Sequence, residues 1–407
     1  YGAGEREFPK LGYAAQLMNN AGIMGAYEPQ ELKEELSKLN ATCHVTADED
    51  NLYIIMEGYE ATLPQACQLL SRQILMPKLD EKQLARLKGS AMGMRQQRKD
   101  NVSILNEALR QYMLYGEKSD YIKELTDKEI YELQISELTG DINRASNYEA
   151  KVFFTGTLPF DQVYDILSKN LPLVANERPS NSPQAKEMMP VTENTVYFLP
   201  NNDAEQAQIH LYIPMQKADK KDDVLRSAFN QYFGLDFTGI VLNEIREKRS
   251  MAYTAYAFVG TQGIAGKASY LRSYIGTQND KANDALDVLM SLVNDMPKNP
   301  ERIGNIKSYL RQAMLTSHPS FRNKAMELVD LGYRGYTDDP AKENLPKVDA
   351  LTFDDIVKFY EENIKGKPYC ISIMGNPKDI DLKRLEKFGK VVKLNERKLF
   401  NTKDALF

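Results

Sequence analysis

The pattern of apolar and polar residues changes its period within one stretch of the chain, residues 235–259. Apolar residues first recur at helical spacing, at Phe237, Ile240, Val241, Leu242 and Ile245. From Tyr253 onward the residues alternate as in a β-strand, which predicts that Tyr253, Ala255 and Ala257 share one face. The stretch is therefore predicted to be a helix that ends near Arg246, followed by a strand that begins at Tyr253.

Arg246 and Tyr253 are candidates for a binding or catalytic site because they flank this helix–strand junction. A guanidinium and a phenol are presented together where one element ends and the next begins, and sites are often built at such positions. The simpler interpretation makes Arg246 a solvated cation at a helix end and Tyr253 a half-buried strand aromatic. Spacing alone favours the simpler interpretation.

The chain contains two copies of one structural unit. Residues 61–93 and 281–313 both read as an amphipathic helix, a Met-Pro pair and a second long helix. Residues 148–167 and 367–385 both read as a buried strand that ends in glycine, at Gly156 and Gly375, followed by a turn and a helix. An acidic-capped helix precedes that strand in each copy. Because the landmarks keep nearly the same spacing, the two halves are predicted to share one fold.

The two copies differ at their beginnings. The second opens with two strands, residues 194–200 and 207–215, whereas the first starts in a loop that leads directly to a helix. We therefore expect the first repeat to lack its opening strands. Since the chain begins at Tyr1 without an initiator methionine or a signal-like segment, we also expect it to be a piece of a longer polypeptide.

The region between the copies, residues 175–194, is rich in Pro, Asn and Ser and has no periodicity, as is typical of linkers. It divides the chain into predicted domains of residues 1–185 and 186–407. Strand hairpins alternate with several long helices in each copy. This organisation favours an α+β fold of two homologous domains, each a largely antiparallel sheet with helices packed on one face.

The composition is that of an ordinary globular protein, with 42% hydrophobic and 27% charged residues and a formal net charge of -5. Basic and acidic residues are interspersed without a basic stripe, which argues against nucleic acid or an anionic membrane as a partner. No apolar run approaches membrane-spanning length. The cysteines Cys43, Cys67 and Cys370 are odd in number and form no C-x-x-C pair, so buried free thiols are favoured.

Common motifs for metal, nucleotide or nucleophile chemistry are missing from the sequence. None of His44, His210 and His318 is followed by a second histidine one helical turn on, so each is interpreted as a surface or satisfied strand histidine. The glycine-rich residues 260–271 lack the first glycine and the final Ser or Thr of a phosphate-binding loop. They read as a bend between two strands.

The stretch GLDFTGIVLNEIREKRSMAYTAYA, residues 234–257, resembles the pitrilysin/insulinase zinc metallopeptidases, also called inverzincins. In the non-catalytic half of that family, a helix ends in L-x-E-x-R and a Leu-Ala-Tyr-like turn leads into a strand. Arg246 and Tyr253 keep the spacing of that pattern. The resemblance extends over both repeats and implies pairs of homologous α+β domains, two of which close like a clamshell around a peptide.

The catalytic half of that family carries H-x-x-E-H on its first helix, with a further glutamate on a later helix. Placed on residues 12–25, the motif positions fall on Gln16, Asn19 and Asn20, and the third-ligand position falls near Met94. Amides and a thioether are poor zinc ligands, and Asn19 offers no carboxylate to activate water. The resemblance therefore implies that this chain holds no metal or cofactor and cleaves nothing alone.

What the resemblance implies is a role in trans. In the family, the residues matching Arg246 and Tyr253 contact the substrate backbone, and the tyrosine helps to stabilise the oxyanion. The implied partners are a zinc-loaded H-x-x-E-H half, upstream or on a separate subunit, and a peptide substrate. The alternative is a catalytically dead structural or peptide-binding homologue, like the core subunits of respiratory complexes. For a bacterial source, the family would favour the periplasm or cell envelope.

Overall fold

The computed structural model of the protein describes residues 4–98, 101–171, 183–234 and 238–402. The chain forms two compact units. Unit 1 comprises the described residues of Tyr1–Arg98, Glu124–Gln184 and Asn401–Phe407, and unit 2 those of Lys99–Lys123 and Ala185–Phe400. Residues 99–123 therefore belong to unit 2 although they lie in the first half of the sequence. The predicted linker lies partly outside the described residues.

The helices before residue 172 are α1 (Leu11–Met18), α2 (Pro29–Lys38), α3 (Leu63–Leu75), α4 (Glu81–Gln96), α5 (Val102–Tyr115), α6 (Asp120–Lys123), α7 (Asp127–Glu132), α8 (Ile135–Ala145) and α9 (Phe160–Asn170). The strands there are β1 (Gly22–Ile23), β2 (Thr42–Ala47), β3 (Leu52–Glu57) and β4 (Pro77–Lys78). Several helices begin at side-chain caps, as at Asp80 before α4 and Thr126 before α7.

The later strands are β5 (Thr195–Pro200), β6 (Gln206–Lys217), β7 (Ala252–Thr261), β8 (Ala268–Gln278), β9 (Cys370–Gly375) and β10 (Lys390–Lys393). The later helices are α10 (Asp223–Phe233), α11 (Ile240–Leu242), α12 (Ala282–Asn294), α13 (Ile303–Thr316), α14 (Lys324–Tyr333), α15 (Pro340–Ala350), α16 (Phe353–Asn363) and α17 (Leu382–Leu385). A π-helical turn, Asn243–Glu247, continues α11. None of the described helices is both long and apolar enough to cross a bilayer.

Unit 2 is built on a six-stranded sheet with the strand order β10-β5-β9-β6-β8-β7. β6 pairs antiparallel with β8 and β9, and β7 with β8, whereas β5 is parallel to β9 and β10. Helices α10, α12 and α16 form a layer on one face, over a core that includes Ile209, Leu211 and Ile275. This layering follows from strands whose alternate residues are apolar. The predicted α+β fold is confirmed.

Helix α5 covers part of the opposite face of the same sheet. Its residues Leu105 and Leu109 pack with Leu199 of β5 and Met374 of β9 in a second, smaller cluster. The sequence pattern predicted helices on one face only, and α5 is an addition to that arrangement. It explains why unit 2 includes residues from the first half of the chain.

Unit 1 contains less sheet than unit 2. Its strands form the antiparallel hairpin β2–β3 and the two-residue pair β1–β4. Helix α1 packs against α4, α8 and β2 around Leu11, Leu17 and Leu84. A separate cluster joins Ile23 to Leu32 of α2.

One strand predicted in unit 1 is not formed. The sequence predicts a buried strand that ends at Gly156, but residues 151–155 belong to no sheet, and Val152 and Phe153 are 49% and 44% exposed. The corresponding strand of the second copy, β9, is buried along its whole length between β5 and β6. A strand needs neighbours that pair with its backbone, and the described part of unit 1 has no counterpart of β5 or β6.

Candidate functional site

The helix that carries Arg246 is short and ends in a widened turn. α11 passes directly into the π-helical turn, in which the Lys248 N–H donates to the Asn243 carbonyl at 2.9 Å. Ile240 and Ile245 are buried in the core of unit 2 and anchor the turn to it. Turns of this kind are frequent at functional sites. The predicted helix is confirmed in place, although Phe237 lies outside the described residues.

The chain reverses direction between Arg246 and β7 through a residue with left-handed backbone geometry. Ser250 has φ 51°, and its N–H donates to the Arg246 carbonyl at 2.8 Å. The next N–H, from Met251, donates to the Ile245 carbonyl at 3.0 Å. The Thr277 hydroxyl of β8 then donates to the Met251 carbonyl at 2.5 Å. These bonds hold the turn on both sides, so Arg246 and Tyr253 are brought together by a fixed backbone.

Tyr253 occupies a β-bulge, which corrects the predicted strand faces. Ala252 pairs with Thr277 and Thr254 pairs with Gly276, so Tyr253 is an extra residue on β7. Tyr253 is 78% exposed, whereas Ala255 and Ala257 point into the core. The predicted shared face of Tyr253, Ala255 and Ala257 is therefore wrong. An extra residue reverses which side chains point inward, and bulges commonly aim a side chain next to a site.

The Arg246 guanidinium lies over the ring of Tyr253, with its central carbon 5.2 Å from the ring centroid. This cation–π contact orients both side chains. The acidic atom nearest to the Arg246 Nε is Glu247 Oε1, at 3.4 Å. Within the described residues, the Tyr253 hydroxyl donates no hydrogen bond and accepts none. The pair therefore presents a phenol and most of a guanidinium to a ligand.

The carboxylate of Glu244 does not compete with a ligand for Arg246. Glu244, at the start of the π-helical turn, accepts from Lys248 at 2.6 Å and from Arg249 at 2.5 Å. These hydrogen bonds, from Lys248 first and then Arg249, hold the pKa of Glu244 below its ordinary value. Because Glu244 is occupied by these two cations, it leaves Arg246 free of a strong ion pair.

The outer edge of β7 is closed beyond the site. Asn230 of α10 brackets one residue of that edge, because its Oδ1 accepts from the Val259 N–H at 2.6 Å and its Nδ2 donates to the Val259 carbonyl at 3.0 Å. The Ala257 N–H donates to the Gly234 carbonyl at 3.0 Å. Edge strands are usually protected by devices of this kind. These bonds keep a ligand strand from pairing with Val259 and with the Ala257 N–H along that edge.

In unit 1, Asn19, one of the predicted motif positions, makes the same kind of bracket. The Asn19 Oδ1 accepts from the Val45 N–H at 2.7 Å, and the Asn19 Nδ2 donates to the Val45 carbonyl at 2.8 Å. Both polar atoms of the side chain are thus committed to the backbone of β2. Asn19 is a structural residue that fixes the end of α1 to a strand.

The other positions of the degenerate motif do not form a zinc site. Gln16 is exposed on α1, and Met94 is exposed on α4. Asn20 is also exposed, and its amide donates to the Gln16 carbonyl at 3.3 Å. In the part of the chain that the structure describes, no three His, Cys, Asp or Glu side chains are grouped to hold a metal ion. Two amides and a thioether, with Asn19 bound to Val45, do not fit catalytic zinc.

His210, the buried histidine of unit 2, contacts a neighbouring helix and is kept neutral by its surroundings. The His210 Nε2 lies 3.1 Å from the Asn106 Oδ1 of α5. Burial, together with Arg110 and Arg272, lowers the pKa of His210 to about 3. This ring is therefore neutral at physiological pH. The three cysteines are free, and burial raises the pKa of each thiol to about 11.

Three features of the site were not predicted from the sequence. The bulge at Tyr253 and the bracket from Asn230 depend on residues distant in sequence, whereas Glu244 pairs with Lys248 and Arg249 within the same turn. One signal was present, because Tyr253 and Thr254 separate two small residues that both face the core, Ala252 and Ala255. An interval of three between buried residues breaks strict alternation and indicates a bulge.

Comparison with known families identifies the region that contains this site. Residues 146–307 match the family described as peptidase M16 inactive domain. This range contains Arg246 and Tyr253 as well as the strands that surround them. A search of the curated proteins found no match. Over residues 146–307, this match confirms the predicted resemblance to the non-catalytic half of the pitrilysin/insulinase metallopeptidases.

Solved structures share the fold over nearly the whole chain. A peptidase M16 inactive domain from Pseudomonas fluorescens is 16% identical, with a TM-score of 0.68, and the match covers 94% of this chain and 92% of that one. The ferredoxin protease FusC, solved in complex with Arabidopsis ferredoxin, is 12% identical with a TM-score of 0.69, covering 92% of this chain and 41% of that one. The periplasmic protease PqqL from Escherichia coli is 14% identical with a TM-score of 0.62, and the coverage is again 92% and 41%. At these low identities, the TM-scores and the coverage of this chain establish a shared fold.

Proposed function

Because this chain resembles the non-catalytic half of an M16 peptidase, we propose that it completes the active site of a zinc metalloendopeptidase. The catalytic half carries H-x-x-E-H, either upstream in the same polypeptide or on a separate subunit. The two halves close around a peptide, and Arg246 and Tyr253 reach it from this side. The observation that carries the proposal is the exposed, bulge-mounted Tyr253 held under the Arg246 guanidinium.

Tyr253 is suited to act as a hydrogen-bond donor. Its hydroxyl has no partner in the described chain, and the bulge turns it away from the core of unit 2. In a closed chamber it donates to the carbonyl oxygen of the scissile peptide bond, where negative charge develops. A donor placed in this way typically lowers a barrier by about 3 kcal/mol, because no reorganisation is needed during the reaction.

Arg246 is suited to position the peptide. Its planar fork of N–H donors matches a backbone carbonyl, and its contact with the Tyr253 ring limits the rotamers of both side chains. The zinc chemistry belongs to the partner half, since Gln16, Asn19, Asn20 and Met94 do not fit a catalytic metal. This chain therefore supplies contacts to substrate and transition state, and no metal.

Tyr253→Phe in the assembled peptidase separates this function from that of a scaffold. The change removes one hydroxyl and keeps the ring under Arg246. We expect kcat for a peptide to fall about 100-fold, with KM changed less than about threefold, because the lost hydrogen bond forms mainly in the transition state. Steady-state hydrolysis by equimolar halves measures both constants.

The matched control is Tyr309→Phe, which removes a hydroxyl from another exposed tyrosine of unit 2, on α13. It should leave kcat within about twofold of the wild-type value. A Tyr253→Phe enzyme with the same kcat as the control would contradict the proposal. In that case a structural or peptide-binding homologue would be the better description of the chain.

A further inference from the structure

The sheet of unit 2 has a second face, opposite the layer of α10, α12 and α16, that α5 covers only in part. α5 packs on β9 and β6. Beyond it, five alternate residues of β7 and β8 remain partly exposed on this face: Tyr256, Phe258, Tyr270, Arg272 and Tyr274. The residues between them, such as Ala257 and Leu271, are buried in the core on the other side. We name this surface the aromatic face.

The rings of the aromatic face are in contact with one another. β-Sheet pairing places Tyr256 opposite Tyr274 and Phe258 opposite Arg272. The ring centroids of Tyr256 and Tyr274 are 5.4 Å apart, and those of Tyr256 and Phe258 are 6.1 Å apart. Partly exposed aromatic side chains of this kind offer large, rigid contact area to a peptide.

Arg272 is a partly buried cation without an acidic partner. Its central guanidinium carbon lies 5.0 Å from the centroid of the Phe258 ring. Its Nε is buried and has no hydrogen-bond partner, and the guanidinium forms no ion pair within the described residues. Arg110 of the neighbouring α5 is, by contrast, paired with Glu107. Because a buried charge without a partner is costly, Arg272 indicates a site for an anionic ligand.

The surroundings of Arg272 favour an anion. Strands β6, β7, β8 and β9 contain no aspartate or glutamate. Burial, followed by the charges of Arg110 and Arg272, lowers the pKa of His210 on the same face, so this histidine adds no competing group. The planar fork of an arginine matches the two oxygens of a carboxylate.

The aromatic face begins beside the candidate site. Ala252 and Ala255 both face the core, so the exposed Tyr253 and Thr254 between them lie on the other side of β7, in line with Tyr256. At the usual rise of a strand, Tyr253 and the pair formed by Phe258 and Arg272 are separated by about 15 Å. An extended peptide spans this distance in about four or five residues.

We propose that Arg272 determines specificity by binding a carboxylate of the peptide about four or five residues from the scissile bond. The side chains between them lie on the rings of Tyr256 and Phe258. The carboxylate belongs either to an aspartate or glutamate of the peptide or to its C terminus, since both offer the same two oxygens. This inference rests on the proposed function, which brings the peptide to Tyr253, and adds a preference for acidic peptides.

Peptide affinity, measured without cleavage, tests the role of Arg272. The chain is assembled with a catalytic half whose motif glutamate is replaced by glutamine, and fluorescence anisotropy gives Kd for labelled peptides. A single glutamate is moved along the peptide and compared with glutamine at each position, and a free C terminus is compared with an amide. We expect the carboxylate to bind about tenfold more tightly at one or two adjacent positions. Equal Kd values for every pair of peptides would overturn the proposal.

Substitutions assign the preference to Arg272. Arg272→Gln should make the acidic and amide peptides bind equally, with Kd for the amide peptide within about twofold of the wild-type value. Arg272→Glu should favour a peptide with lysine at the same position. The matched control is Arg311→Gln on α13, which removes another exposed arginine and should keep the tenfold preference. A preference that persists in Arg272→Gln would contradict the proposal. The comparison of peptides in the wild-type protein remains decisive if a variant does not fold.

The failure of this inference is distinguishable from that of the proposed function. If Tyr253→Phe lowers kcat but the wild-type protein binds acidic and amide peptides equally, only the role of Arg272 is wrong. If Tyr253→Phe leaves kcat unchanged while the preference for the carboxylate depends on Arg272, the proposed function is wrong, and Arg272 belongs to a peptide-binding homologue.

Discussion

Each unit contains an asparagine whose side-chain amide brackets one residue of a strand. Asn19 holds both backbone polar groups of Val45 in unit 1, and Asn230 holds both of Val259 in unit 2. The bonds lie between 2.6 and 3.0 Å in both cases. The shared geometry shows that Asn19, one of the predicted motif positions, serves the fold of unit 1.

The two units differ in what lies beside the bracket. In unit 2, a π-helical turn and a bulge place Arg246 and Tyr253 on the surface, with the Tyr253 hydroxyl available to a ligand. In unit 1, the side chains at the motif positions are bound to backbone or point into solvent as amides and a thioether. The difference teaches that a polar side chain held at a fixed position without a partner, more than its place in a sequence motif, indicates where a ligand can bind.

Arg246→Lys should have the largest effect among the changes that sharpen this comparison. Lysine keeps the charge but loses the planar fork and most of the contact over the Tyr253 ring. We expect kcat/KM of the assembled peptidase to fall about 30-fold, since misplacement of the peptide by a fraction of an ångström is costly. Steady-state peptide hydrolysis measures the fall.

Arg311→Lys is the control for that change, because Arg311 is an exposed arginine of α13 paired with Asp349. It should change kcat/KM less than about twofold. If both lysine variants behave alike, Arg246 is the solvated helix-end cation of the simpler interpretation, and the contrast between the two units disappears.

Asn19→Ala and Asn230→Ala should have similar effects if the brackets are equivalent. Each removes two hydrogen bonds and leaves the backbone groups of Val45 or Val259 unpaired, so we expect a loss of about 2 kcal/mol in the free energy of unfolding. Urea denaturation followed by circular dichroism measures the change. Asn20→Ala, which removes only the 3.3 Å bond to Gln16, should stay within about 0.5 kcal/mol of wild type.

A large loss in only one of the two bracket variants would contradict the equivalence. Asn19→Ala should also leave kcat of the assembled enzyme unchanged under conditions where the protein is folded. A fall in kcat there would mean that Asn19 has kept a role in chemistry.

His210 makes the stability of unit 2 depend on pH. The ordinary pKa of 6.5 is lowered to about 3 in the folded protein, by burial first and then by Arg110 and Arg272. Between these pH values the unfolded chain binds a proton that the folded chain does not. Stability is therefore full above pH 6.5 and is lost as pH falls, by about 1.4 kcal/mol per pH unit.

Hydrogen exchange of β6 amides at pH 4.5 to 7, corrected for intrinsic rates, would measure this dependence, with α1 amides as the internal reference. His210→Gln keeps a polar side chain near Asn106 and should flatten the profile of β6. An unchanged slope in that variant would show that another group is responsible.

Glu247→Gln should have the smallest effect. The contact between Glu247 and Arg246 is 3.4 Å long and lies at the surface, so it contributes little to stability. We expect less than about 0.5 kcal/mol in unfolding free energy and less than a twofold change in kcat/KM. A larger loss of activity would mean that Glu247 holds Arg246 in place, in addition to Tyr253.

Much of the fold was predictable because it is encoded locally. Strands β5 and β6 follow directly from apolar runs, and the two copies of the repeat follow from the spacing of Gly156 and Gly375. Residues 151–155 failed as a strand because pairing depends on neighbours and not on local preference. The packing of α5 on the sheet of unit 2 likewise depends on contacts between residues distant in sequence, which no local pattern predicts.

The candidate site was predictable in its residues but not in its geometry. Arg246 and Tyr253 follow from the helix–strand junction, and the family resemblance gives them a role. Their availability depends on the turn at Ser250, on the bulge and on the pairing of Glu244. The bulge is set by pairing with β8, and the other two are set by hydrogen bonds within the turn that a pattern of apolar residues does not reveal. That the motif positions lack zinc ligands remains a prediction from residue types, while the bracket made by Asn19 was visible only in the structure.

The most direct test is to titrate this chain into a zinc-loaded H-x-x-E-H half from the same source while measuring peptide hydrolysis. We predict no activity from either half alone and a rise to a plateau at equimolar ratio, because Arg246 and Tyr253 are supplied only by this chain. Full activity of the catalytic half alone, with a flat titration, would contradict the account.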